Sequence, residues 1–521
     1  MGWFEAPEPL LPELIARHGR WRGRRTALVE GERRLSWAEF ERDTARIANG
    51  LAALGLRSGD RIALLMDSSL ETALATFGII RSGCVAVPLN VSVTDAAVGA
   101  MIEDAQARAV FASDRHCARI DALGAAAAGS RAATAVRIAH RSPGPPWIEL
   151  TTWYAQQSAE APRAAPSPQA ECNIIYSSGT TGVPKGIVHT HRCRLNWAVD
   201  CALALRYRSD CVTLCSLGLF SNISWVAMLC TVLVGGTLVI MPHFDAEACA
   251  ALIESERVTH GNFVPLQLER LLALPELGRH GLDSLDTLMC CGSPLPLSVK
   301  REFPRRTGAK LIELYGLTEG LCTILAPEDF EAKTASVGKP FLGTDLRIIG
   351  EDGGELPAEA VGEIVGVSPL LMQGYNNRDE ASAEATWQGP DGRRWLRTGD
   401  LGYLDADGFL YVVDRKKDMI LSGSQNVYPA DIEQVMRGHP EVAEVAVVAA
   451  RSARWGETPV AVVVAKPQRS IDPQALIEWT NERVGKQQRI ADVVLRSSLP
   501  RNANGKILKR ELRAELAGRE Y

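Results

Sequence analysis

The densest chemistry in the sequence lies between Tyr176 and Gly186, which read YSSGTTGVPKG. Two serines, two threonines, three glycines and Lys185 share these eleven residues. Glycines let backbone N–H groups turn toward one point, hydroxyls add donors and an ammonium adds charge, a combination suited to holding phosphate. It is not the phosphate loop of the common nucleoside triphosphatases, which needs Gly before the Lys and Ser or Thr after it; Pro184 and Gly186 stand there instead. A plain flexible linker would not explain a lysine directly after this stretch and beside the apolar run NIIYS. The expected phosphate contacts are Ser177, Ser178, Gly179, Thr180, Thr181, Gly182 and Lys185. Just beyond, His189 and His191 have the i, i+2 spacing of one strand face. No third ligand is close in sequence, so a structural role beside the loop is expected, and no zinc.

With this loop the chain resembles the adenylate-forming enzymes: acyl-CoA synthetases, adenylation domains of peptide synthetases and beetle luciferases. Six further matches come in that family's order. They are CGSPL (291–295), YGLTE (315–319), RTGD (397–400), DRKKDMI (414–420), SGSQNVYPADIE (422–433) and LPRNANGKILKREL (499–512). One alone is weak, but an ordered series from 172 to 512 is not a chance event.

The resemblance implies a carboxylate joined to the α-phosphorus of ATP, loss of pyrophosphate, then transfer of the acyl group from AMP to a thiol. Both partners in the first step are anions, so cations must screen their approach. By similarity, Glu319 holds Mg²⁺, a hard cation suited to carboxylate and phosphate oxygens, and Thr318 touches the α-phosphate. Lys506 matches the catalytic lysine that bridges carboxylate and phosphate; taken alone, a lysine among 57 cations is a solvated surface group. Gly292, Ser293, Pro294 and the main chain at Glu313 and Leu314 are implied to line adenine, with Tyr315 stacking on it. Asp400 is implied to accept from the ribose hydroxyls, and Arg415 to contact the ribose or phosphate side; by itself a Gly-Asp is an ordinary turn. Lys417 matches a hinge, and Gly423 a loop where a side chain would obstruct pantetheine.

For the acid, position implies Phe220, Ser221, Asn222, Trp225, Phe263, Cys291, Gly316, Gly320, Leu321 and Ile324. Family members often carry His where Ser221 stands, and its loss removes any imidazole from the handling of the carboxylate. FSNIS offers no Asp for an α-ammonium, and a buried unpaired ammonium is costly. No Arg or Lys occurs between Cys211 and Pro242, which speaks against a dicarboxylate. A medium-chain, aryl or alicyclic monocarboxylate remains favoured. The absence of a carrier segment after Tyr521 suggests coenzyme A as acceptor, with Lys486 and Arg489 placed to meet its phosphates. A stand-alone enzyme loading a carrier protein is the nearest rival. A non-catalytic nucleotide-binding protein would be expected to lack Lys506, Glu319 or Lys185, and a P-loop kinase is disfavoured by Pro184.

These residues need a scaffold, and the pattern predicts α/β architecture. TALVE and RRLS read as a hairpin, and Ser36-Trp37-Ala38-Glu39 as a capping box opening a helix. RIALLMD, LETALATFGIIRSG and CVAVPLN read as a βαβ unit whose helix is amphipathic, hence a parallel sheet. The uncharged span Cys211–Pro242 is split by Gly235-Gly236 into a helix near 222–234 and a buried strand, not a membrane span. Residues 141–169 carry six prolines and read as an exposed connection, and about 336–414 as a small β-rich lobe. The expected domains are 1–415, an N-terminal adenylation domain of βα sheets with that lobe, and 416–521, a smaller mobile α/β domain.

With 521 residues, 46% hydrophobic and 23% charged, the chain is long and apolar enough for large cores. A net charge of −5 gives no pull toward nucleic acid. Twelve cysteines without C-x-x-C spacing point to a reducing compartment. The opening MGWFEAPEPLLPEL lacks the basic, apolar pattern of a secretion signal, so a soluble cytoplasmic protein is expected, compatible with a homodimer.

Overall fold

The computed structural model describes residues 8–177, 184–275, 277–279, 281–422, 425–502 and 505–521. The chain divides into two compact units. One takes in residues up to Thr334 with Pro340–Thr344 and Ser368–Glu384; the other takes in Ala335–Lys339, Asp345–Val367 and Ala385–Tyr521.

The larger unit is built on two sheets. The first runs, in spatial order, Cys322–Leu325, Lys310–Gly316, Thr287–Cys290, His260–Phe263, Val212–Cys215, Thr237–Ile240, Thr26–Glu30 and Arg33–Ser36. Its inner pairs are parallel, while the pairs at these two ends are antiparallel hairpins. The second runs Gly374–Tyr375, Lys185–Thr190, Glu171–Ser177, Val85–Pro88, Arg61–Leu65, Ala109–Ala112, Val136–Ala139 and Ile148–Glu149. One buried cluster draws on a face of each sheet, through Leu28, Cys215 and Met289 from the first and Ile62, Phe111 and Ile175 from the second. Separate clusters cover the opposite faces.

The predicted βαβ unit and capping box are present: Ser36 Oγ accepts from the Glu39 N–H at 3.3 Å, and Glu39 accepts from the Ser36 N–H at 2.8 Å. The helix Leu70–Arg81 differs from the amphipathic expectation, because every one of its residues is buried. It lies in the shared core, and its charges are matched there: Arg81 meets Glu41 at 2.8 Å, and Glu71 pairs with Arg33. The uncharged span resolves into the helix Asn222–Val234 and the strand Thr237–Ile240, as expected. Gly235 ends the helix at φ +69. A Cβ on Gly236 would lie 2.7 Å from the Cys211 carbonyl oxygen, so the turn can approach the start of the strand Val212–Cys215 only through glycine. The proline-rich connection is largely exposed, as expected, and within it Ile148–Glu149 adds an edge strand and Leu150–Ala155 a short helix. Among the described residues no helix is long and apolar enough to cross a membrane.

The smaller unit holds the β-rich lobe, an antiparallel sheet of Asp345–Ile349, Gly362–Val367, Arg394–Leu404, Thr386–Gln388 and Leu410–Arg415. It also holds a sheet built on the long hairpin Val442–Ser452 and Gly456–Ala465, with Asp492–Arg496 added in parallel. The helices Pro429–Arg437 and Pro473–Asn481 contribute Ile432, Met436 and Leu476 to one core of this sheet, and Lys509–Leu516 contributes Leu512 and Leu516 to the other.

Candidate active site

In the larger unit, Thr318 and Glu319 sit at the tip of the hairpin joining Lys310–Gly316 to Cys322–Leu325. The tip closes through Leu317 N–H to Leu321 O at 3.0 Å and Gly320 N–H to Leu317 O at 3.1 Å. Gly320 has φ +118, and a Cβ there would lie 2.1 Å from the Leu370 carbonyl oxygen, so no other residue fits. Two outside donors fix the tip backbone: His189 Nε2 to Thr318 O at 2.8 Å, and Met372 N–H to Glu319 O at 2.8 Å. The Tyr375 hydroxyl donates to Glu319 Oε1 at 2.9 Å. The Lys185 ammonium lies 4.9 Å from the centre of the same tyrosine ring.

Burial, then the Glu319 charge, drives the Tyr375 phenol upward from its ordinary pKa, so it stays a donor. Lys185, Tyr375 and Glu319 thus form one constellation with a cation, a donor and a carboxylate. No group of three or more His, Cys, Asp or Glu among the described residues forms a metal cage. A single oriented carboxylate fits Mg²⁺, which usually takes one or two protein carboxylates and completes its shell with phosphate and water oxygens.

Ser177 and Lys185 are cross-strand partners, so the two ends of the glycine-rich loop are held side by side. Ser178, Gly179, Thr180, Thr181 and Gly182 lie outside the described residues, as does Gly423. On the expected adenine side, Gly292 has φ +97 in an exposed turn that continues through Ser293 and Pro294. The Glu313 carboxylate meets Lys300 Nζ at 2.5 Å and accepts from Leu295 N–H at 3.3 Å. Burial raises its pKa, against Lys300. That side chain braces the 291–295 turn, which fits the expectation that Glu313 and Leu314 offer only main chain. Tyr315 is half-buried on the same strand.

On the expected acid side, Ser221 caps the helix Asn222–Val234 and accepts from Ile223 N–H at 3.3 Å. Phe220 and Asn222 flank it, half-buried. Trp225, Cys291, Leu314 and Cys322 belong to one apolar cluster, against which Ile324 packs. Gly316, Gly320 and Leu321 complete the hairpin beside Thr318 and Glu319. Phe263 is not brought to this group. It lies on the other face of the same sheet, in the core with Leu214, Leu288 and Cys290. Side chains alternate along a strand, and it is Asn262 that turns to the acid-side helix, donating to Ile223 O at 3.1 Å.

In the smaller unit, buried Asp400 lies directly across the ladder from Arg415, with Arg415 Nε 3.5 Å from its Oδ1. Thr398 Oγ1 accepts from the Asp400 N–H at 3.0 Å and donates to Ile364 O at 2.8 Å, fixing the turn. Buried Glu363 gathers Arg397 at 2.5 Å and Lys416 at 3.0 Å. The next turn bends tightly, Asp418 and Met419 N–H both reaching Arg415 O at 2.9 and 3.1 Å. Arg513 clasps it by pairing with Asp418 and donating to Lys417 O at 3.1 Å.

Lys506 sits in a tight loop closed by Asn502 N–H to Lys506 O and Lys506 N–H to Asn502 Oδ1, both 2.9 Å. Burial, then the positive charge of Arg415, lowers its pKa to about 7, with Asp400 opposing and Lys417 adding to the fall. Lys506, Arg415, Lys417 and Asp400 therefore share one electrostatic neighbourhood.

Residues 15–376 match the family described as AMP-binding enzyme. The chain belongs to that family. Residues 431–506 match the family's C-terminal domain. FadD13 of Mycobacterium tuberculosis, a long-chain-fatty-acid–CoA ligase, is 35% identical over 497 residues, covering 92% of this chain and 93% of its own. The indoleacetate–CoA ligase of Aromatoleum aromaticum is 34% identical over 521 residues, covering 98% and 99%. Among solved structures, ATP-bound MatB from Rhodopseudomonas palustris aligns with a TM-score of 0.88 at 28% identity, covering 97% of this chain and 98% of that one. This AMP-binding enzyme is an ATP-dependent, AMP-forming acid–CoA ligase, using ATP, Mg²⁺ and coenzyme A.

Tyr375 and Lys300 were not reached from the sequence. Tyr375 stands next to Gly374 in an otherwise unremarked MQGYNN, and only its pairing with Ile187 brings it to the loop's end. Lys300 is one lysine on the helix Leu297–Thr307, and its buried partner Glu313 is the sole signal of its role.

Proposed function

We propose that this enzyme activates a medium-chain, aryl or alicyclic monocarboxylate and passes it to coenzyme A. A carboxylate oxygen forms a bond to the α-phosphorus of ATP while the bond to the bridging oxygen of the β-phosphate breaks, releasing pyrophosphate. The thiol then loses its proton and attacks the acyl carbon, and AMP leaves. Glu319, oriented by Tyr375, would hold Mg²⁺ through carboxylate oxygen; the ion's part is to screen phosphate charge. Thr318 contacts the α-phosphate, Ser177–Lys185 the β- and γ-phosphates, Asp400 the ribose, and Lys506 the α-phosphate and the acid. The 416–521 segment is the moving domain, turning at Lys417, and residues 1–415 form the adenylation domain. Burial and the neighbouring Arg415 lower the Lys417 pKa, so its charge is better solvated once that turn opens.

The observation that carries the acid class is the apolar cluster of Trp225, Cys291, Leu314 and Cys322 beside the hairpin tip. Long-chain-fatty-acid and indoleacetate ligases among the relatives act on acids without a second charge, while 2-succinylbenzoate ligases stand among them too, so the acid class rests on the apolar cluster. All twelve cysteines are free and buried, which suits a reducing cytoplasm.

The test is a panel of straight-chain, aryl and alicyclic acids, trapping the adenylate with hydroxylamine. Coenzyme A and a phosphopantetheinylated carrier protein are then offered as acceptors. Preference for these acids with turnover on coenzyme A supports the proposal; preference for dicarboxylates or amino acids, or turnover on the carrier protein alone, refutes it.

A further inference from the structure

Arg194, on the helix His191–Ala204, has no solvent exposure at all. Among the described residues no carboxylate lies within ion-pair distance of it. Arg81, comparably buried, has Glu41 at 2.8 Å. Arg194 is instead held by three neutral acceptors: Asn173 Oδ1 at 2.7 Å from Nε, Asn222 Oδ1 at 3.0 Å from one terminal nitrogen, and His189 Nδ1 at 3.2 Å from the other. The Trp225 and Trp197 rings lie 5.0 and 5.7 Å from its guanidinium carbon. Burial lowers its pKa to about 10, which leaves it a cation at neutral pH.

An unpaired buried cation is an expensive way to fill space, since apolar side chains of similar size are often as good or better there. The placement of the acceptors gives it a purpose. Asn173 and His189 belong to adjacent strands flanking the phosphate loop, and Asn222 is the first residue of the acid-side helix. Because Nδ1 of His189 accepts from Arg194, its Nε2 carries the proton donated to Thr318 O. Asn222, Arg194, His189 and Thr318 are thus joined in series at 3.0, 3.2 and 2.8 Å.

We propose that Arg194 is a positioning residue that fixes the acid-side helix start and the Thr318–Glu319 tip relative to each other. Fully buried, it touches neither ATP nor acid; it sets the distance between the groups that hold them. The planar fork is essential, because an ammonium cannot serve three acceptors in one plane. The proposal rests on the adenylation reading above.

The experiment is a double-mutant cycle of His189→Gln and Asn222→Ala, read as kcat/KM for hydroxamate formation. Among the described residues these two share Arg194 as their common partner, so their effects should be coupled by at least roughly threefold. The coupling should vanish in an Arg194→Lys background, which keeps charge but not fork. Arg194→Lys itself should raise the acid KM and lower kcat with an undiminished pyrophosphate burst. A merely structural role would instead shrink the burst and leave the acid KM unchanged. Should the lysine variant fail to fold, the cycle in the Arg194 background still decides. An additive cycle in an active enzyme overturns this assignment alone. A wild type making no hydroxamate from any acid overturns the adenylation reading and this assignment with it.

Discussion

Replacing Lys506 by arginine should abolish a pH dependence that the structure builds into adenylation. Burial and the Arg415 charge hold the lysine at a pKa of about 7 in the free enzyme. On that value roughly three quarters of molecules carry the ammonium at pH 6.5, and roughly one in a hundred at pH 9. The positive form is the one that screens carboxylate and α-phosphate, and kcat/KM reports the free enzyme. The wild-type kcat/KM for hydroxamate formation should therefore fall roughly 75-fold from pH 6.5 to 9. Bound ATP and acid add negative charge beside the lysine, so the same limb in kcat should lie at higher pH. The guanidinium introduced by Lys506→Arg stays charged throughout, so the variant's profile should be flat over this range, whatever its absolute rate. A flat wild-type profile, or an alkaline limb retained unchanged in the variant, would refute the reasoning.

Tyr375→Phe removes the hydroxyl that orients Glu319 but keeps the ring beneath Lys185. A hydrogen bond to a charged group is worth about 1.5–3 kcal/mol, so the Mg²⁺ concentration for half-maximal adenylation should rise roughly tenfold or more, measured at fixed ATP. His191 is fully buried, neither ring nitrogen has a hydrogen-bond partner among the described residues, and burial lowers its pKa to about 4. Its contribution to stability is present above pH 6.5 and lost as pH falls toward 4, so His191→Leu should gain about 2 kcal/mol on wild type between pH 7 and 5, read by urea titration at both values; a gain unchanged with pH contradicts this. Trp225→Ala should shift the acid preference toward bulkier acids in the hydroxamate panel. Phe263→Ala should leave that preference unchanged while costing about 3–5 kcal/mol of stability, because its ring faces the other core.

The sequence was most legible where local chemistry decides the outcome. The capping box at Ser36, the TALVE–RRLS hairpin and the Gly235-Gly236 break depend on neighbours a few residues away, and the structure shows all of them. Leu70–Arg81 was misjudged because Glu71 and Arg81 look solvent-facing until Arg33 and Glu41, about forty residues upstream, are placed beside them. Phe263 is off by one position: family position alone implied it, and which of Asn262 and Phe263 faces the acid-side helix is set by the phase of the strand His260–Phe263 and not by residue type. Tyr375, Lys300 and Arg194 escaped notice for a shared reason. Each acts through a partner distant in sequence, Glu319, Glu313 and Asn222 respectively, and no local motif announces such a pair.

The central claim is that the chain forms an acyl-adenylate with Lys506 at the reacting groups. ATP–pyrophosphate exchange with mixed aliphatic and aryl acids, comparing wild type with Lys506→Ala, tests it most directly. The account predicts exchange that requires both acid and Mg²⁺ and falls by at least roughly a hundredfold in the variant, as for loss of a group stabilising transition-state charge. Acid-independent exchange, or a Lys506→Ala variant that exchanges at the wild-type rate, would contradict it.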